Sequence, residues 1–257
     1  MSRINALNPS NVPPKVGSML VRPSGPPSST GTLPLYPIDR QTSLGELAYT
    51  SLKEAIVGGQ FSASQKLTVR AVAQALSIST SPARDAIMRL ICEGALVNSG
   101  PKTVIVPTLT LAALDELTSI QLVLERFAAR VATERIASET VEELRGLQLQ
   151  ISAALDTANY PAAVRANKDF HFLIYKSAQM PQLLSMIESL WLRIAPSLSG
   201  VSPNYADSRI GISNHMEAIA GLEDRDEVRV QAAIEKDTHD RHQRLVSCIR
   251  RRRKMIA

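Results

Sequence analysis

Two of the chain's four histidines stand on helical stripes that are otherwise apolar. Asn167 and His171 are four residues apart beside Ala163, Phe170 and Ile174, and His215 stands among Ile212, Ile219 and Leu222. Further on, Asp237 and Arg241 interrupt the stripe Val230, Ile234, Leu245 and Cys248. Residues four apart share a helix face, so these groups point toward a core. A buried polar group carries a cost unless it is partnered, and groups aimed inward from three helices are expected to share one partner. Imidazoles with carboxylate and amide oxygens form a donor set for a divalent ion, with zinc or nickel the first candidates, held by Asn167, His171, His215 and Asp237. A hydrogen-bonded core network, or histidines at a helix boundary facing water, would use the same spacing.

Hydrolytic metal chemistry also needs a carboxylate poised as general base beside an open coordination position. Asp169 and Glu217 are near in sequence, but helical geometry turns them to other faces. No Gly-rich phosphate loop and no serine-hydrolase elbow occurs. The chain is therefore read as a non-enzyme, with a metal-dependent enzyme bearing an accessory winged helix as the rival.

A second set of chemistry-bearing residues is cationic and hydroxylic. Arg70, Ser79, Thr80, Ser81 and Arg84 lie within LTVRAVAQALSISTSPARDAIMRLICEGAL, residues 67–96. Thr68 caps an Ala-rich helical pattern over Val69–Leu76, and Ser79-Thr80-Ser81-Pro82 opens a second that runs past Leu90. Two helices joined by so tight a turn form a helix-turn-helix, whose second helix can enter a DNA major groove. Arginine can bond bidentately to guanine or phosphate, whereas the hydroxyls are better suited to positioning the backbone.

The flanking elements decide between that motif and a plain helical hairpin. Leu44, Leu47, Ala48, Leu52, Ala55 and Ile56 predict a helix stopped by Gly58-Gly59, followed by a loop through Phe61 to Lys66. After the second motif helix, Val97 begins a strand, Asn98-Ser99-Gly100-Pro101 reads as a turn, and Thr103–Val106 is a second β-branched run. Three helices and a two-strand wing make a winged helix-turn-helix over residues 44–110, with Lys102 in the wing as a further DNA contact.

From 111 to 257 only helices are predicted. Leu111, Leu114, Leu117, Leu124, Phe127, Ala128 and Val131 form the first stripe, and Thr140 with Glu143 reads as a capping box for the next helix. Later helices are expected at about 161–177, 181–198, 207–222 and 226–254. The fold class is mainly α, a winged helix-turn-helix followed by an all-α antiparallel helical bundle.

Residues 1–43 hold eight of the chain's 15 prolines with little periodicity, the composition of a disordered arm. Overall 44% of residues are hydrophobic, yet no apolar run is long enough to span a bilayer and no secretory signal is visible. Cys92 and Cys248 are isolated thiols, which fits a reducing, cytoplasmic setting. The net charge of +5 suits a nucleic-acid partner. Much of it lies in the tail Arg250–Lys254, read either as a solvated helix end or as the contact of an architectural DNA-binding protein.

Residues 44–110 resemble the GntR-type winged helix. VRAVAQALSISTSPARDAIMRLICEGALV matches that motif in spacing throughout and in Ser79, Pro82, Arg84, Ala86, Arg89, Leu90, Glu93 and Gly94. The resemblance implies DNA contacts at Arg70, Ser79, Thr80, Ser81 and Arg84, with Thr80 standing where the family usually has Arg. The helical part resembles the FCD effector-binding domain of the FadR branch, through Asn167–His171, Asn214–Ile219 and Ala232–Asp237. That resemblance implies a divalent metal, an acidic small-molecule effector held near Gln121 and Arg241, and a homodimer on a palindromic operator. Asn167 replaces the family's usual Asp, Asp237 stands where many members have His, and Gln121 replaces an Arg. The expectation is a ligand-responsive transcription regulator, more often a repressor than an activator in this family.

Overall fold

The structure is a computed structural model that describes residues 43–198 and 210–256. Apart from Ser43, the proline-rich arm lies outside them. Helix α1 (Leu44–Val57) opens where the Ser43 side chain accepts from the Glu46 N–H at 3.2 Å, and ends at Gly58 and Gly59, the latter at φ +71°. Its buried stripe is Ala48, Tyr49, Leu52, Ile56 and Val57. Leu44 and Leu47, expected inward, are exposed, because the first turn lies at the surface beside Asp85.

The segment expected as a loop before the motif contains strand β1 (Lys66–Thr68). Three residues are too few to show alternation, so only its pairing reveals it. Thr68 then caps α2 (Val69–Ala75), accepting from the Ala71 N–H at 3.1 Å. Helix α3 (Thr80–Cys92) follows from Ser79 and buries Ala83, Ala86, Ile87 and Leu90. Gly94, at φ +74°, turns the chain out of α3 in the left-handed conformation that favours glycine there.

Strands β2 (Val97–Gly100) and β3 (Thr103–Ile105) complete a three-stranded antiparallel sheet in the order β1-β3-β2. Leu67 faces Val104 from one side and Asn98 faces it from the other, with a register shift between Asn98 and Gly100. Asn98 and Gly100 are thus ladder residues with Ser99 at the shift between them, and the turn narrows to Pro101-Lys102.

Six helices form the bundle among the described residues: α4 (Leu111–Arg135), α5 (Ser138–Asp156), α6 (Tyr160–Ser177), α7 (Pro181–Leu198), α8 (Ile210–Glu223) and α9 (Glu227–Ile256). Helix α4 packs against α9, α6 and α7, while α5 packs against α6 and α8. Phe127, expected in the α4 core stripe, is exposed. Thr140 and Glu143 do not cap α5: the helix begins three residues earlier, after Ala137, and both lie inside it. Arg225 ties the helix ends together, donating to the Thr133 and Ile136 carbonyls at 2.7 and 2.6 Å at the end of α4.

The winged region packs on the bundle through α1 and α7. Lys53 and Glu188 form an ion pair at 2.6 Å, and Arg193 Nε donates to the Glu93 carbonyl at 3.0 Å.

Candidate metal centre and nucleic-acid interface

Helices α6, α8 and α9 each bring one side chain to a common point. His171 Nε2 lies 3.3 Å from His215 Nε2 and 3.1 Å from Asp237 Oδ2, while His215 Nε2 lies 3.9 Å from Asp237 Oδ1. All three side chains are buried, and one ligand atom from each falls within 4.8 Å of the others. Phe170 stacks on the His215 ring at 4.1 Å between centroids and closes one side.

The outer ring nitrogens set the tautomers. His215 Nδ1 lies 2.7 Å from Gln148 Oε1, which can only accept, so Nδ1 carries the proton. Tyr175 Oη donates to Glu125 Oε2 at 2.9 Å, which leaves its oxygen to accept from His171 Nδ1 at 3.3 Å. In the neutral rings both Nε2 lone pairs therefore face each other and the Asp237 carboxylate. Three electron-rich atoms converging in a buried pocket repel one another unless a cation or proton sits among them.

Burial, with the Arg241 and Arg244 cations nearby, pulls His215 down to about 3 against a smaller opposing pull from Asp237. Burial would raise Asp237, but with a proton on His171 Nε2, in the place a cation would take, the hydrogen bond and charge of that ring, then His215 and Arg241, outweigh it and hold the carboxyl well below its usual range. Neutral imidazole and ionised carboxylate are the ligand forms a divalent ion requires. The donor set fits zinc or nickel with at least one coordination position left over.

Beside this cluster lies a fully buried carboxylate, Glu125. Its Oε1 accepts from Gln121 Nε2 at 3.0 Å and Trp191 Nε1 at 2.7 Å. Its Oε2 accepts from Tyr175 Oη, Thr238 Oγ1 at 3.1 Å and Arg241 Nη2 at 3.3 Å. Burial first, then the Glu125 charge, pushes the Tyr175 hydroxyl well above its ordinary value, so it stays a donor. Arg241 also stacks over Trp191 and lies 3.9 Å from Asp237 Oδ2, which links the carboxylate hub to the cluster.

On the winged region, Arg70, Ser79, Thr80, Ser81, Arg84 and Lys102 are all exposed. Arg70, Arg84 and Lys102 enter no ion pair among the described residues, so their charges remain available to an anionic partner. Arg89 is held differently, 3.6 Å over the Tyr49 ring, 2.7 Å from Glu46 and 3.5 Å from Glu93. It braces α3 against α1.

Comparison with known proteins bears on both regions. Bacterial regulatory proteins of the gntR family match residues 44–102, and the FCD domain matches residues 116–238. The chain belongs to the GntR family. This GntR protein with an FCD domain is a transcriptional regulator, and it is 29% identical over 189 residues to the HTH-type transcriptional regulator McbR of Escherichia coli K12, covering 73% of this chain and 86% of that one. It is 25% identical over 138 residues to the Nta operon transcriptional regulator of Aminobacter aminovorans, across 54% of this chain and 65% of that one. The solved structure of E. coli McbR/YncC superposes with a TM-score of 0.76 at 26% identity, over 80% of this chain and 99% of that one. A putative GntR regulator from Rhodococcus sp. RHA1, at 16% identity, shares the fold with a TM-score of 0.67 over 80% of this chain and 99% of that one. These relatives are regulators of transcription, not enzymes. No helix among the described residues is long and apolar enough to cross a membrane.

Within this GntR protein, His171, His215 and Asp237 come together as the sequence predicts. Asn167 is half-buried one turn before His171 and makes no side-chain hydrogen bond among the described residues. Gln121 and Arg241, the expected effector contacts, are buried and both donate to Glu125. The hub formed by Glu125, Trp191, Tyr175 and Thr238 went unread in the sequence. Its one signal is a Glu four residues after Gln121 inside a stripe of Leu and Ala. Gln148 was missed for the same reason, since its role depends on a histidine from another helix.

Proposed function

We propose that the protein is a cytoplasmic, ligand-responsive repressor that binds a palindromic operator as a homodimer. Its helical domain would hold a divalent ion, zinc or nickel, on His171, His215 and Asp237. The observation that carries this reading is the pair of Nε2 lone pairs facing one buried carboxylate, with both Nδ1 protons directed away. The ion, when bound, supplies a Lewis-acidic point for a carboxylate of a small organic acid. Arg241 and Gln121, next to the cluster, are positioned to answer a change there by releasing or tightening on Glu125.

Residues 44–110 are the proposed DNA-binding domain and 111–257 the proposed effector and dimerisation domain. Arg70 and Arg84 would carry most of the specific contact, with Ser79, Thr80, Ser81 and Lys102 fixing position on the phosphates. Two copies on half-sites about one helical turn apart require an imperfect palindrome. Effector binding would shift the population between DNA-competent and incompetent placements of the two winged helices.

Elemental analysis of the purified protein tests the metal, and thermal-shift screening of organic acids on metal-replete protein tests the effector. Selection of duplexes from a random pool tests the operator. Absence of stoichiometric metal rejects the site, and a non-palindromic consensus rejects the dimeric reading of DNA.

A further inference from the structure

Helix α3 turns one side inward, where Ala83, Ala86, Ile87 and Leu90 are buried. Its opposite side presents Ser81, Arg84, Asp85 and Met88, all exposed, the last three at offsets of three, four and seven residues from the first. Such offsets make one continuous strip along a helix, the strip by which a helix lying in a major groove reaches successive base edges. Ser81 and Arg84 are already proposed contacts. Met88 stands on the same strip one turn beyond Arg84, and its chemistry is of another kind.

Met88 is 51% exposed, and among the described residues it is the one large apolar side chain that α3 leaves open. The charges around it say what could cover it. Arg89, the next cation on α3, is already engaged, 3.6 Å over the Tyr49 ring and 2.7 Å from Glu46. Asp85, beside Met88 on the strip, is exposed and enters no ion pair among the described residues. Phosphates are met by cations and hydroxyls, and they repel a carboxylate. This turn of α3 therefore suits the floor of a groove rather than its rims. The apolar group that the floor of the major groove offers is the C5 methyl of thymine, which no other unmodified base carries. An unbranched, polarisable thioether chain adapts its shape to such a small target. Four residues of helix advance Met88 by about 6 Å past Arg84. Its contact therefore falls within roughly two base pairs of the one that Arg84 makes.

We propose that Met88 is a specificity-determining residue of the recognition helix, packing its thioether end against the C5 methyl of a thymine next to the bases that Arg84 reads. The proposal rests on the DNA-binding reading above and adds to it a base-reading residue and the chemical group it reads.

Methyl deletion on the DNA tests it. The tightest duplex that the full chain selects from a random pool is remade with deoxyuridine in place of thymidine, one position at a time. Each exchange removes one C5 methyl and leaves the pairing edge untouched. By anisotropy titration, wild type is expected to lose about fourfold in affinity at one thymine of the half-site, the factor for uncovering one methyl group. Met88→Ala is expected to bind the thymine duplex about fourfold more weakly and to be indifferent to the exchange at that position. Its circular dichroism and urea midpoint should match wild type, since the side chain is exposed, and Met88→Leu should restore the sensitivity. A wild type indifferent to every exchange overturns the inference and leaves the DNA-binding reading intact. So does a Met88→Ala protein that keeps the wild-type sensitivity at every thymine. Failure of the wild type to select any duplex overturns both.

Discussion

The Nε2 atoms of His171 and His215 meet at 3.3 Å, each ring with its Nδ1 committed to an oxygen acceptor, Tyr175 Oη and Gln148 Oε1. Two ring nitrogens so close, in a pocket shared with the Asp237 carboxylate, form a donor set that could hold a cation.

Replacing both histidines, His171→Ala with His215→Ala, is expected to abolish bound zinc or nickel as read by elemental analysis. Metal content equal to wild type would reject the site. Gln148→Met leaves the three ligands in place and removes the acceptor that sets the His215 tautomer. It is expected to weaken metal affinity by about 10-fold or more, read by competition with a chelator.

Acid is expected to destabilise the metal-free protein. His215 falls from an ordinary 6.5 to about 3 on folding, so between those values the unfolded chain binds a proton that the folded one refuses. The stability it contributes is present above its unfolded value and is lost as pH falls toward 3. Asp237 adds to the loss in the same direction, because its carboxyl is also lowered and its contribution fades below the usual 3.8. The unfolding midpoint should therefore fall on acidification in wild type and fall less in His215→Gln. Parallel curves for the two proteins would contradict the assignment.

The two arginines of α3 are expected to separate cleanly. Arg84→Ala should weaken specific duplex binding by about 1–3 kcal/mol with folding intact, measured by anisotropy titration. Arg89→Ala should leave the salt dependence of binding unchanged. It should instead lower stability by about 1 kcal/mol, because it loses the Tyr49 stacking and the Glu46 pairing. Exchanged phenotypes would mean that the wrong face of α3 had been assigned to DNA.

Gly94→Ala is expected to destabilise by about 1 kcal/mol or more in urea unfolding. Its φ of +74° disfavours a side chain, and a Cβ there would come 3.3 Å from Arg193 Nε, which donates to the Glu93 carbonyl. The same change should loosen the contact between α7 and the end of α3. An unchanged unfolding midpoint would show that neither effect matters.

What the sequence by itself determined is what local periodicity and local caps can carry. Thr68 and Gly94 bound the motif helices, and spacings of three and four turn His171, His215 and Asp237 inward. Helix geometry relates residues within a few turns, so these features need no knowledge of neighbours. The tertiary structure decided what depends on chain segments far apart. Strand β1 exists because Leu67 finds Val104, and three residues alone carry no alternation. Glu125 is a hub because Trp191, Tyr175, Thr238 and Arg241 arrive from three other helices. Gln121 and Arg241 face that carboxylate rather than open space for the same reason. Leu47 and Phe127 are apolar residues on helical stripes, yet both are exposed, because a stripe is buried only where another element covers it. Periodicity shows that a helix has a face; only packing decides which face is left for a partner.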